Sequence, residues 1–256
     1  MGQELSKQIL DNKQLEFVGG FEHKTHKHIN KQFKSVSDIN STKLIDSNPV
    51  NSIKLADVLI DFTTPQSTLE NVKIASQNKK AIIIGTTGMT QVQKKKVKSY
   101  AKKIPILMSS NMSVGVNLVF DLVRQAASFL HANEYDIEIA ETHHKHKKDA
   151  PSGTALSLGE YAASGRKTTL TKSKVLDRTK KLSRRKNGDI GFSVTRGGEI
   201  AGEHTVSFIG ENDRVDLVHK ANNRSIFVKG AIDAAIFITK KKPGIYSIKD
   251  LFFNNY

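Results

Sequence analysis

Short apolar runs alternate with stretches of helical periodicity along the first hundred residues. That alternation is the mark of an α/β unit with a parallel sheet. Positions 3–9 predict a short helix, and 15–22 a strand that ends on the acid Glu22. Residues 23–51 are polar, basic and poorly periodic, which predicts a long irregular stretch. Positions 56–62 read as a second strand. Pro65 then suits the first turn of a helix running to about residue 78. The run Ala81-Ile82-Ile83-Ile84 is continuously apolar, as expected of a strand covered on both faces. A basic helix at 90–103 and a strand at 104–108 complete the array.

Beyond this the pattern changes. A long amphipathic helix at 113–130 is followed by an alternating strand at 135–141 and a loop rich in histidine and lysine at 142–151. Positions 153–163 predict a helix, whereas 166–187 are strongly basic with little apolar periodicity. Three alternating strands (190–195, 203–209, 214–220) precede a last helix at 225–239. The front third therefore reads as a parallel βα array and the later part as a mixed or antiparallel sheet, with a boundary near 111–113.

Composition narrows the function classes. Of 256 residues 38% are hydrophobic, and the 17 glycines raise the apolar share to about 45%, enough for a core. No apolar run approaches the ~20 residues that span a bilayer, and the first residues lack an apolar signal core, so a cytoplasmic protein with no membrane partner is expected. The opening Met1-Gly2-Gln3-Glu4-Leu5-Ser6 fits the short N-myristoylation pattern, which many unmodified chains also fit. The absence of cysteine excludes disulfides, thiol catalysis and thiolate metal sites. The net charge of +15 opens a nucleic-acid reading. With only 7% aromatic residues to stack on bases and lysines spread along the whole chain, no specific nucleic-acid partner is expected.

Three motifs carry chemistry. Gly85-Thr86-Thr87-Gly88 follows a buried strand, where ligands of open α/β sheets bind; such turns also merely close a connection. Glu22 at a strand end is placed to accept hydrogen bonds from ribose hydroxyls, or is a solvated acid. The third runs from Glu141 to Thr154 and packs three histidines and three lysines into positions 143–148. Histidine passes protons near neutrality. Pro151 and Ser152 read as a helix start, so Gly153 and Thr154 would offer N–H groups to an anion. Together these groups suit a small carboxylate substrate. A solvated basic loop and a nucleic-acid patch stand beside that reading. No metal site is expected, because adjacent histidines hold one ion poorly.

The stretch ETHHKHKKDAPSGTA at 141–155 resembles the signature of the 4-hydroxy-tetrahydrodipicolinate reductase (dihydrodipicolinate reductase) family. IDFTTP at 60–65, GTTG at 85–88, SSNMSVGVN at 109–117, IGFSVTRGGEIAGEHTVSF at 190–208 and HKANNR at 219–224 match it in the same order. The resemblance implies NADH- or NADPH-dependent reduction of a cyclic dicarboxylate in diaminopimelate and lysine biosynthesis. It implies an α/β fold: a Rossmann-type dinucleotide-binding domain (1–112 and 224–256) plus an α+β substrate and oligomerisation domain (113–223) whose open mixed sheet builds a homotetramer. His143 corresponds to the general acid/base and Lys147 to a proton donor. His144, Gly153 and Thr154 correspond to the substrate-carboxylate site. Gly85, Thr86, Thr87, Ser109, Ser110, Asn111 and Met112 correspond to cofactor contacts, and Glu22 to the ribose acid. The Glu22 charge leans toward NADH by repelling a 2′-phosphate, whereas His23 beside it could meet one, so both cofactors stay open. In the family a first strand and a glycine fingerprint precede the Met1-Gly2 position, so an N-terminally shortened cofactor domain is expected. Position 64 is Thr64 where the family often has arginine. The rival readings are a basic nucleic-acid module built on Lys145–Lys148 and residues 166–186, and a reductase-derived protein without cofactor binding.

Overall fold

The computed structural model describes residues 1–179 and 184–252, so part of the basic stretch at 166–187 lies outside the described residues. The chain divides into two compact units, one of Met1–Met112 with the segment from Ser225 onward, the other of Ser113–Arg224.

The first unit opens with α1 (Gly2–Leu10), β1 (Gly20–Phe21), α2 (Phe33–Val36), β2 (Ile45–Asp46) and α3 (Pro49–Leu55). It continues with β3 (Val58–Asp61), α4 (Pro65–Gln77), β4 (Ala81–Ile84), α5 (Gln91–Ser99) and β5 (Pro105–Met108). The second unit holds α6 (Val114–Phe129), β6 (Asp136–His143), α7 (Gly153–Gly165), α8 (Leu170–Ser173), β7 (Lys174–Val175), β8 (Ile190–Arg196), β9 (Glu203–Ile209) and β10 (Arg214–Lys220). The chain then returns to the first unit with α9 (Ser225–Ile238), β11 (Gly244–Tyr246) and α10 (Ile248–Phe252).

In the first unit β11, β5, β4 and β3 form a parallel sheet in that order. All four residues of β4 are buried, because helices cover both faces. Ile83 packs with Leu107 against Val228, Ala231 and Ala235 of α9. Ile82 and Ile84 face the other way, against Val72 and Ala75 of α4 and Val97 of α5. Side-chain caps set the helix starts: Thr64 accepts from the Ser67 N–H with Pro65 in the first turn, and Thr90 and Gln93 form a capping box. Thr64 thus has a structural task of its own.

The single strand expected over 15–22 does not form: only Gly20–Phe21 pairs, with the equally short β2. Phe17 instead meets Phe33 edge-on at 5.1 Å in a small separate cluster. The 23–51 stretch is not irregular throughout, since it contains α2, β2 and the start of α3. These elements are too short to leave a period in the sequence.

In the second unit the sheet order is β10-β9-β6-β8-β7. β9 runs antiparallel to both β10 and β6, while β8 runs parallel to β6 and β7. This is the mixed sheet expected from the alternating patterns. One face carries Ile137, Ile139, Val206, Phe208 and Ile190 into a core with Phe120 and Val123 of α6 and Leu158 and Ala162 of α7. The opposite face includes the register row Ser193–Ala140–Thr205–Val218, in which Ser193, Ala140 and Val218 are exposed.

Three helical glycines mark close approaches. A Cβ on Gly230 would lie 1.9 Å from the Met112 carbonyl oxygen, and one on Gly165 would lie 2.3 Å from that of Arg124. One on Gly159 would meet the Phe192 ring at 2.7 Å.

Phe120 is 2% exposed and stacks on Tyr161 at 5.0 Å. Phe120→Ala is expected to cost about 3–5 kcal/mol. In guanidinium unfolding the transition of the second unit should move to lower denaturant with an unchanged slope, and an unmoved midpoint would contradict the packing described.

Candidate active site

Strand β6 carries Ile137, Ile139, Glu141 and His143 on one buried face. The first two enter the core, and the same alternation then brings an acid and a histidine to the strand's carboxyl end. The neighbouring strands complete the group by register: His204 of β9 lies opposite Glu141, and Arg196 of β8 lies beside His143.

Glu141 is 2% exposed and accepts from every side. Its Oε1 takes the Ser152 N–H at 2.9 Å and Arg196 Nη2 at 2.8 Å; its Oε2 takes Arg196 Nη1 at 2.8 Å and His143 Nδ1. Burial pushes this carboxyl up, but the hydrogen bonds from His143, Arg196 and Ser152 outweigh it and hold its pKa at about 2. His204 is buried beside them, with Nε2 3.1 Å from Ser152 Oγ and its ring 5.1 Å from that of His143. Burial, then the nearby His143, pulls its pKa down to about 3, so it is neutral at physiological pH. Ser152 also caps α7, accepting from the Ala155 N–H, which fixes the helix start beside the histidines.

The rim is cationic. His144 Nε2 accepts from Arg224 Nη2 at 2.6 Å, and burial followed by that guanidinium lowers its pKa. Lys147, partly buried, reaches Asp149 Oδ1 at 2.8 Å. Burial raises the pKa of Asp149, but Lys147 and the backbone at the start of α7 bring it below the usual range. Thr154 is buried in the first turn of the same helix.

The first unit gathers the other expected residues at the carboxyl ends of its parallel strands. Gly85–Gly88 leaves β4. Thr86 is buried, taking hydrogen bonds from the Thr68 hydroxyl (2.9 Å) and the Thr63 N–H (3.0 Å) beside the buried Asp61. Thr87 and Gly88 are exposed, and Gly88, at φ +80°, has nothing within 4 Å of where a Cβ would be. The Ser109 N–H bonds to the Ile84 carbonyl, which sets the segment from Ser109 through the exposed Ser110 beside that loop. Ser109 Oγ donates to the Asn111 carbonyl at 2.6 Å, and Met112 is buried in the core. Glu22 is exposed just past β1 and lines a groove of about 260 Å³ with Gly20, Ile60 and Phe62. The Phe62 ring lies against Gly85. An exposed carboxylate suits ribose hydroxyls, and an open glycine turn at a strand end suits a close-lying ligand, so these residues fit a dinucleotide.

Sequence reading opened its third motif on Glu141 but gave it no role, and missed Arg196, His204 and Arg224 as members of the site. Its usable signal was an acid at 141 in phase with the buried Ile137 and Ile139.

The parallel and mixed sheets define an α/β protein with a Rossmann-type unit and a second α+β unit. Sequence profiles for the N-terminus and C-terminus of dihydrodipicolinate reductase match residues 1–112 and 115–252. The chain is 41% identical over 252 residues (98% of this chain, 92% of the relative) to 4-hydroxy-tetrahydrodipicolinate reductase 1 of Mesorhizobium japonicum. It is 47% identical over 196 residues (77% and 74%) to 4-hydroxy-tetrahydrodipicolinate reductase of Ralstonia nicotianae. A dipicolinate-bound dihydrodipicolinate reductase from a Paenisporosarcina species shares the fold, with TM-score 0.72 at 24% identity over 98% of this chain and 95% of that one. The chain belongs to the dihydrodipicolinate reductase family.

The lowered pKa values make stability pH-dependent. A group whose pKa is lower folded than unfolded stabilises above its unfolded value and loses that contribution as pH falls. For His204 the loss runs from 6.5 down toward 3, and for Glu141 from 4.5 down toward 2. His144 and His219 act in the same direction as His204. Denaturant midpoints should fall as pH drops below 6.5 and fall further below 4.5. His204→Gln should flatten the upper part, and an unchanged slope would contradict the buried neutral His204.

Proposed function

We propose that the chain reduces 4-hydroxy-tetrahydrodipicolinate with NADH or NADPH, the step of diaminopimelate and lysine biosynthesis for which its relatives are named, and that the 142–154 loop supplies the proton chemistry. One observation carries the placement of the substrate. A carboxylate, Asp149, is held by Lys147 at 2.8 Å, four residues before Gly153 at the start of α7 and close in the chain to His144 and Thr154. Donors that hold one carboxylate this way suit those of a cyclic dicarboxylate.

In this reading His144, Gly153 and Thr154 bind substrate carboxylate, with Arg224 adding charge from beside His144. The bound cofactor supplies the hydride. Glu22, Gly85, Thr86, Thr87 and the segment Ser109, Ser110, Asn111 and Met112 hold it, and the Glu22 carboxylate favours NADH by repelling a 2′-phosphate. His143 acts as general acid/base at Nε2, and Lys147 delivers a proton beside the carbon that receives the hydride. The protein works in the cytoplasm.

His143→Ala and Lys147→Ala are each expected to lower kcat by about 10²–10⁴-fold, the worth of a placed acid–base group, with circular dichroism unchanged. Consumption of reduced cofactor in the presence of substrate is the assay, and near-normal turnover in both variants would overturn the assignment.

The assembly is a homotetramer built on the open face of the mixed sheet. The exposed row through Ala140 and Val218 supports this, since apolar groups lie bare on a central and an outer strand. Val218→Asp is expected to shift the mass measured by light scattering from tetramer to a smaller species; a tetramer that persists would exclude this face.

A further inference from the structure

We propose that Glu141 is a positioning residue for proton transfer, fixing the tautomer of His143 so that Nε2 faces the substrate without a proton when the ring is neutral. The inference rests on the reading of His143 as the acid/base.

The argument is one of donors and acceptors. An ionised carboxylate accepts only. Glu141 Oε2 stands against His143 Nδ1, so Nδ1 carries the hydrogen and Nε2 is left as the variable position. His143 Nε2 has no hydrogen-bond partner among the described residues. Gly202 clears the space beside it: a Cβ there would lie 2.9 Å from Nε2. One ring nitrogen is therefore fixed by the protein and the other is kept for exchange.

Arg196 explains why the carboxylate can do this while buried. Its two Nη atoms take both oxygens of Glu141 at 2.8 Å, compensating the charge and fixing the plane of the carboxylate. The Ser152 N–H, from the cap of α7, adds the fourth donor. Glu141 thus ties the acid/base on β6 to the helix start that bears Gly153 and Thr154.

The donor set makes an amide informative. Glu141→Gln keeps the shape but brings an NH₂ group into a pocket that offers only donors. At the Oε1 position that NH₂ would meet the Ser152 N–H and Arg196, neither of which can accept. At the Oε2 position it also faces Arg196 Nη1, but there alone it has a neighbour that can accept: His143 Nδ1, once the proton moves to Nε2. The variant should therefore flip the tautomer of His143.

Nitrogen NMR of the imidazole, on the full chain labelled in histidine and at a pH where the ring is neutral, reads this directly. The wild type should show the Nδ1–H form and Glu141→Gln the Nε2–H form. Turnover in Glu141→Gln should fall by about 10²–10⁴-fold, with KM changed far less than kcat, and Glu141→Asp should recover part of it. A wild type in the Nε2–H form overturns the proposal without any variant, so a Gln protein that fails to fold does not shelter it. A Gln variant with wild-type tautomer or wild-type kcat also overturns it. If His143→Ala keeps its turnover, the reading of His143 has failed instead, whatever the tautomer.

Discussion

A carboxylate at the buried end of a sheet strand is tolerable only when its charge is matched and its oxygens are satisfied. Removing one partner of such a pair typically costs about 3–5 kcal/mol. Glu141 meets that condition with four donors from three different elements, β6, β8 and the start of α7. The geometry of the loop follows. Ser152 is held at the carboxylate, so α7 starts there, and Gly153 and Thr154 come next. His143 is turned by the same group, and His204 fits beside it as a neutral ring. The long connection from β6 to α7 has its two ends fixed by one side chain.

The architecture was legible where an element left a period or a start signal in the sequence. β4, α4, β9 and β10 fall close to their expected spans: β4 is a continuous apolar run, β9 and β10 alternate in sequence, and Pro65 marks the start of α4. The failures share a cause. β1 and β2 are two residues each, and β11 is three, so pairing partners distant in sequence decide them. The apolar residues at 15–18 looked like strand, but Phe17 serves a separate aromatic cluster.

The site was legible in part. The crowd of histidines and lysines in one loop, followed by a helix-start signal, pointed to anion and proton chemistry before any family was considered. The residues that organise it were hidden. Arg196 lies 55 positions from Glu141 along the chain, and His204 is further still. Both meet that carboxylate's surroundings only because β8 and β9 flank β6 in a particular register. A linear reading has no access to that register, nor to the buried polar partners that it selects.

The close approaches at Gly159, Gly165 and Gly230 bear on how this protein tolerates engineering. Replacing a helical glycine by alanine ordinarily gains about 0.5–1 kcal/mol, because the unfolded chain loses freedom. Here the sign reverses. At Gly230 and Gly165 the added methyl would strike a backbone carbonyl, which cannot rotate away as a side chain can. A helix would have to withdraw from its neighbour, and the packing lost along its length would exceed the entropy recovered. A stabilisation campaign guided by helix propensity alone would therefore be misled at Gly165 and Gly230, whereas at Gly159 the outcome turns on whether the ends of Phe192 and Leu170 can give way.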